Sequence, residues 1–106
     1  MPKYLIKASY TAEGVKGVIK DGGTKRRQAA EAALKSTGGT LEAFYFAFGD
    51  ADAIVIIDAP DNASVAAASM AIGASGLVTV KTVVLLTPEE IDQAVKKGAT
   101  YTPPGR

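Results

Sequence analysis

Cysteine is absent from the 106-residue chain, and so are histidine and tryptophan. Without cysteine there is no disulfide framework, no thiolate nucleophile and no thiolate metal site. Without histidine the chain lacks the side chain whose ordinary pKa suits proton transfer at neutral pH, and the commonest transition-metal ligand. A charge of one sign is missing too: 12 basic residues against 11 acidic ones leave a net charge of +1, with no general pull toward nucleic acid or an anionic membrane. Long apolar runs do not occur, so no segment is expected to span a bilayer. The first residues, Met1-Pro2-Lys3-Tyr4, lack the apolar stretch of a signal peptide, and a soluble, cytoplasmic protein is expected.

What is present is a modest core in one domain. Hydrophobic residues make up 47% of the chain, enough for a single core and no second one. The middle sets the architecture. Phe44-Tyr45-Phe46-Ala47-Phe48 and Ala53-Ile54-Val55-Ile56-Ile57 flank a Gly49-Asp50-Ala51-Asp52 break, which reads as a central hairpin.

Ahead of it, Tyr4, Ile6, Ala8 and Tyr10 alternate with Lys3, Leu5, Lys7 and Ser9, the period of a strand. Thr11 is placed as an N-cap with Glu13 in the first turn, and Val15, Val18 and Ile19 form a short helical stripe. Asp21-Gly22-Gly23 interrupts the helix, and Thr24 is placed to cap a second piece running from Lys25 to about Thr37. Gly38-Gly39 ends that piece. Behind the hairpin, Pro60-Asp61-Asn62 opens an alanine-rich helix from about Ala63 to Ile72. Leu77 to Leu86 follows as a fourth strand. Thr87-Pro88-Glu89-Glu90 then starts a last short helix marked by Ile91, Ala94 and Val95. The domain spans residues 1–97, and 98–106, with Pro103-Pro104-Gly105, is an extended tail.

The order βαββαβ is that of an α+β, ferredoxin-like fold: a four-stranded antiparallel sheet with helices on one face. Helices cover one face only, yet the third and fourth strands are apolar on both. The simplest cover for the second face is another copy of the chain, so a homodimer or higher homo-oligomer built through the sheet face is expected.

Tyr4-Leu5-Ile6-Lys7-Ala8-Ser9-Tyr10-Thr11, Gly38-Gly39-Thr40-Leu41-Glu42-Ala43-Phe44-Tyr45, the turn from Gly49 to Asp52, Pro60-Asp61 and Lys81-Thr82-Val83 together resemble the GYD-domain family, small bacterial proteins related to the dimeric α/β barrels. The resemblance covers the chain up to the tail. It departs at the turn, where the family usually has a tyrosine before the second aspartate and this chain has Ala51. The resemblance implies a dimeric α/β barrel rather than a particular reaction. Related barrels include cofactor-independent monooxygenases, haem-handling proteins and amino-acid-sensing modules, and fold alone does not carry function.

Three groups of residues invite chemistry. Asp50 and Asp52 offer oxygen ligands for a hard cation, but two acids are too few and aspartate is an ordinary turn residue, so no metal is expected. Thr24, Lys25, Arg26 and Arg27 follow two glycines at a helix start, where cations oppose the helix dipole unless an anion docks there. The alternative for that segment is a solvated basic turn paired with acids such as Glu31. If the helices cover the face carrying Tyr4, Ile6 and Ala8, Lys7 and Ser9 point the other way, and Lys81 or Thr82 with Tyr45 or Phe44 can join them to receive a carboxylate or phenolate. The alternative there is that Lys7 and Lys81 snorkel to water from strand ends.

The leading expectation is a small-ligand-binding homodimer with a cavity on the sheet face and no cofactor. Its competitors are a cofactor-independent oxygenase or isomerase acting on an aromatic or polyketide-like substrate, and a purely structural oligomerisation protein.

Overall fold

Strand β1 (Lys3–Tyr10) alternates buried and more exposed positions along its length, and that alternation divides the molecule into two sides. In the computed structural model, which describes all 106 residues, β1 leads into helices α1 (Ala12–Asp21) and α2 (Gly23–Lys35). The central hairpin follows as β2 (Thr40–Phe46) and β3 (Ala53–Asp58), and α3 (Asn62–Ala74), β4 (Val78–Leu85) and α4 (Pro88–Lys97) complete the chain. The strands form one antiparallel sheet in the order β2-β3-β1-β4, the ferredoxin-like arrangement. No helix is long and apolar enough to cross a membrane.

The caps follow from the residue types. Thr11 accepts from the Gly14 N–H and Asp61 from the Ser64 N–H, each meeting a donor that a helix start leaves free. Thr87 and Glu90 form a reciprocal capping box ahead of α4, with Pro88 in the first turn. At α2 the cap is different from the one the sequence suggests. Gly22 donates its N–H to Val18 to close α1, and its carbonyl accepts from Arg26 to open α2. With φ at 82°, Gly22 makes that joint in a left-handed conformation, so Thr24 falls inside the helix and caps nothing.

The helix-covered face of the sheet carries Tyr4, Ile6, Ala8, Val55 and Ile57, with Phe44 alongside on β2. Leu34 of α2 and Val65 of α3 close over Tyr4, Ile6, Val55 and Ile57 to form the main core, in which Ile57 is fully buried. A second, smaller cluster holds Ala8, Ala53 and Val78, so this end of the core is lined by short side chains. Tyr4 reaches Asn62 of α3 through its hydroxyl.

The other face has no helix over it. It carries Leu5, Ile54 and Ile56 half-buried and Tyr45 and Val83 exposed. Helix α4 buries none of its residues, and Ile91 and Val95 are 47% and 76% exposed. The molecule is accordingly long, 57 × 33 × 22 Å.

Candidate functional site

On the uncovered face, strand register sets the site. Tyr45 lies opposite Ile54, Ile54 opposite Lys7, and Lys7 opposite Lys81, so the four residues make one row across the sheet. Neighbouring strands run about 5 Å apart, which brings the two lysine stems side by side. Like charges directly opposite each other oppose pairing of the strands. Neither lysine joins an ion pair, and each is exposed.

Lys3, two rows along on the same face, is treated differently. Its ammonium donates to Glu42 at 2.9 Å and to Asp58 at 3.0 Å, and these hydrogen bonds, Glu42 first, hold its pKa above the ordinary lysine value. One lysine of the face is thus answered by the chain's own acids and two are not.

Lys7, Ser9, Thr79 and Lys81 border a cleft of about 350 Å³ together with Asp50 and Ala51 of the hairpin turn. Three residues expected on sequence grounds therefore meet here, Lys7, Ser9 and Lys81, with Tyr45 farther along the row. Thr82 does not join them. It lies opposite Ile6 on the helix-covered face, beside Tyr4, Asn62 and Ser69, because adjacent residues of a strand point to opposite sides. Phe44 likewise pairs with Val55 and packs into the core. Asp50 enters the site unforeseen, since its turn carried no signal beyond two acids in a loop.

The basic segment does not converge on one point. Lys25 sits 3.9 Å from Asp21 and Arg27 3.9 Å from Glu31, both on the solvent side of the helices. Thr24 is exposed near the helix start. Arg26 alone turns inward, where it is half-buried and borders a cavity of about 100 Å³ between the sheet and the helices. The other residues around that cavity are all hydrophobic.

Asp52 is engaged by the backbone. Its carboxylate accepts the Tyr10 N–H at 2.8 Å, fastening the hairpin turn to the end of β1. Asp50 lies instead in the cleft beside Lys7 and Lys81. No three acidic side chains converge as a metal site would need. Asp61, a helix cap away from this cleft, is held below the usual carboxylate range chiefly by the Ser64 backbone N–H.

A model of one protein family, described as the GYD domain, matches residues 4–95 of the chain. No curated protein and no solved structure matches it.

Proposed function

Because the chain belongs to the GYD-domain family, whose model spans nearly all of the folded part, we propose that it is a homodimeric small-ligand-binding module. Two copies meet sheet to sheet, and an anionic aromatic ligand lies between them against Lys7 and Lys81. The observation that carries this reading is the directly opposed, unpaired lysine pair on an otherwise half-apolar face. An anion lodged between the ammonium groups turns a repulsive contact into two charge-assisted hydrogen bonds. Ser9 supplies a hydroxyl at the same cleft, and Tyr45 an aromatic surface farther along the row.

The second copy is supported by what lies around the lysines. Leu5, Ile54, Ile56 and Val83 form an apolar surround that a single layer of helices leaves uncovered. A face-to-face partner buries it, dries the cleft and strengthens each lysine contact within it. Ala51, small and buried at the rim, leaves the room that a bulkier turn residue would take.

The test joins mass and affinity. Light scattering of the purified protein at tens of micromolar, an estimate set by ordinary interface strengths, is expected to give two chains or a multiple of two. Titration with 2-naphthoate is expected to show saturable binding that falls about tenfold or more in Lys7→Met or Lys81→Met, the loss due to one charge-assisted contact. A soluble monomer, or an affinity unchanged in both variants, overturns the reading.

A further inference from the structure

Between the sheet and helices α2 and α3 the core is left unfilled. Ala8 and Ala53 on the sheet face Ala30 and Ala33 on α2, and the space among these short side chains is the cavity of about 100 Å³. Void space in a core forfeits packing, so it costs stability unless something occupies it. Its boundary contains one charged residue, Arg26, which takes part in none of the chain's five ion pairs. Arg26 is half-buried, so its stem lies against an apolar wall while its guanidinium has no ion-pair partner.

Arg26 and Tyr10 also border a second, more polar cleft of about 280 Å³ that lies toward α1, together with Asp21 and Ser75. The two residues therefore stand where the apolar cavity meets the more polar one. Asp21, the acid on that side, is directed to Lys25. The Tyr10 hydroxyl has no hydrogen-bond partner in the chain, whereas its backbone N–H is taken by Asp52. Arg26 and Tyr10 thus border the apolar cavity with a guanidinium and a phenolic hydroxyl that no other side chain engages.

We infer that this cavity is a binding site for a short-chain aliphatic monocarboxylate, its tail among Ala8, Ala30, Ala33 and Ala53 and its carboxylate held by Arg26 and Tyr10. The fork of Arg26 matches a carboxylate in two parallel hydrogen bonds. Size selects the tail. An apolar cavity of about 150 Å³ takes benzene, so one a third smaller takes an alkyl group of about four carbons. Pentanoate and 3-methylbutanoate fit that description. The site lies on the opposite side of the sheet from Lys7 and Lys81 and stands independently of the sheet-face reading.

The experiment is a titration of the full chain with pentanoate, 1-pentanol and acetate, read by calorimetry and by the backbone amide shifts of Ala8, Ala30 and Ala53. Pentanoate is expected to bind at one site per chain and shift those amides. Pentanol, with the tail alone, and acetate, with the charge alone, are each expected to bind about tenfold more weakly or worse. Arg26→Gln is expected to bring pentanoate down to the level of pentanol while leaving pentanol unchanged. Arg26→Lys, which keeps the charge and loses the fork, is expected to fall between them. Ala30→Leu fills the hole and is expected to abolish both ligands without lowering the melting temperature.

Pentanol binding as tightly as pentanoate would remove Arg26 from the site. Failure of pentanoate to bind at all, with Ala30→Leu merely raising the melting temperature, identifies a dry packing void and overturns the proposal. Loss of pentanoate binding in Lys7→Met places the ligand on the sheet face and overturns it as well.

Discussion

Lys7 on β1 and Lys81 on β4 are direct cross-strand neighbours, and no acid of the chain pairs with either. Reversing one sign changes the contact from repulsive to attractive. Lys81→Glu is expected to raise the stability of the chain by about 0.2–1 kcal/mol, the worth of an opposite-charge pair across a ladder. The gain should appear as a higher urea midpoint with an unchanged slope. The same variant is expected to lose 2-naphthoate binding, so stability and binding move in opposite directions. A coincident loss of both would mean that the lysine is needed for the fold.

Helix α1 holds two glycines with opposite roles. A Cβ on Gly14 would stand 2.2 Å from the Leu77 carbonyl oxygen, an atom already fixed by the Thr11 N–H at 2.9 Å. A Cβ on Gly17 meets nothing within 4 Å. Gly14→Ala is expected to destabilise the protein by about 1–3 kcal/mol, the usual cost of forcing atoms into a filled space. Gly17→Ala is expected to stabilise it by about 0.5–1 kcal/mol, because a helix interior favours alanine over glycine. Paired denaturation curves decide between this account and one in which both glycines serve only flexibility.

Hydrogen bonds displace the pKa of Asp61 downward and that of Lys3 upward. Asp61 has its pKa lowered from 3.8, chiefly by the Ser64 N–H, so its contribution is present above the unfolded value and is lost as pH falls through the lowered folded one. Asp61→Asn keeps an oxygen acceptor at the cap and removes the titration. The melting temperature of that variant is expected to approach that of the parent as the solution is acidified below about pH 4, the unfolded carboxylate range. At the alkaline end the sign reverses. Lys3 has its pKa raised from 10.5, so its contribution is whole below that value and is lost as pH rises through the folded one. Lys3→Met, which deletes the ammonium, is expected to flatten the alkaline limb of the melting-temperature profile.

The element order and the caps at Thr11 and Thr87 were legible because period and cap chemistry are local properties. So was the side of the sheet to which Lys7 and Ser9 point. Thr24 was misplaced because one glycine serves both as the end of α1 and as the start of α2, a geometry that residue identities alone do not reveal. Lys81 and Thr82 could not both face the same cleft, but choosing between them requires the register with β1. Arg26 is one of three consecutive cations in the sequence, and its inward turn depends on the packing of α2 against the sheet. The fate of α4 was equally hidden: its Ile91 and Val95 stripe is plain in the sequence, yet the stripe meets no core of its own chain.

A sheet is extended by adding strands to its margins, and here the margins are β2 and β4. Glu42 is the extra residue of a bulge, inserted where Leu41 faces Ile57 and Ala43 faces Ile56. Such an insertion bends β2 and breaks the regular ladder that an incoming strand would need to follow. Only β4 keeps an unbroken margin. Two molecules joined β4 to β4 would each have spent their one good margin, and the array would stop at two. Fibril growth requires a donor and an acceptor margin on every molecule. By distorting one of them, the bulge at Glu42 leaves the sheet a single regular margin, one short of what open-ended stacking needs.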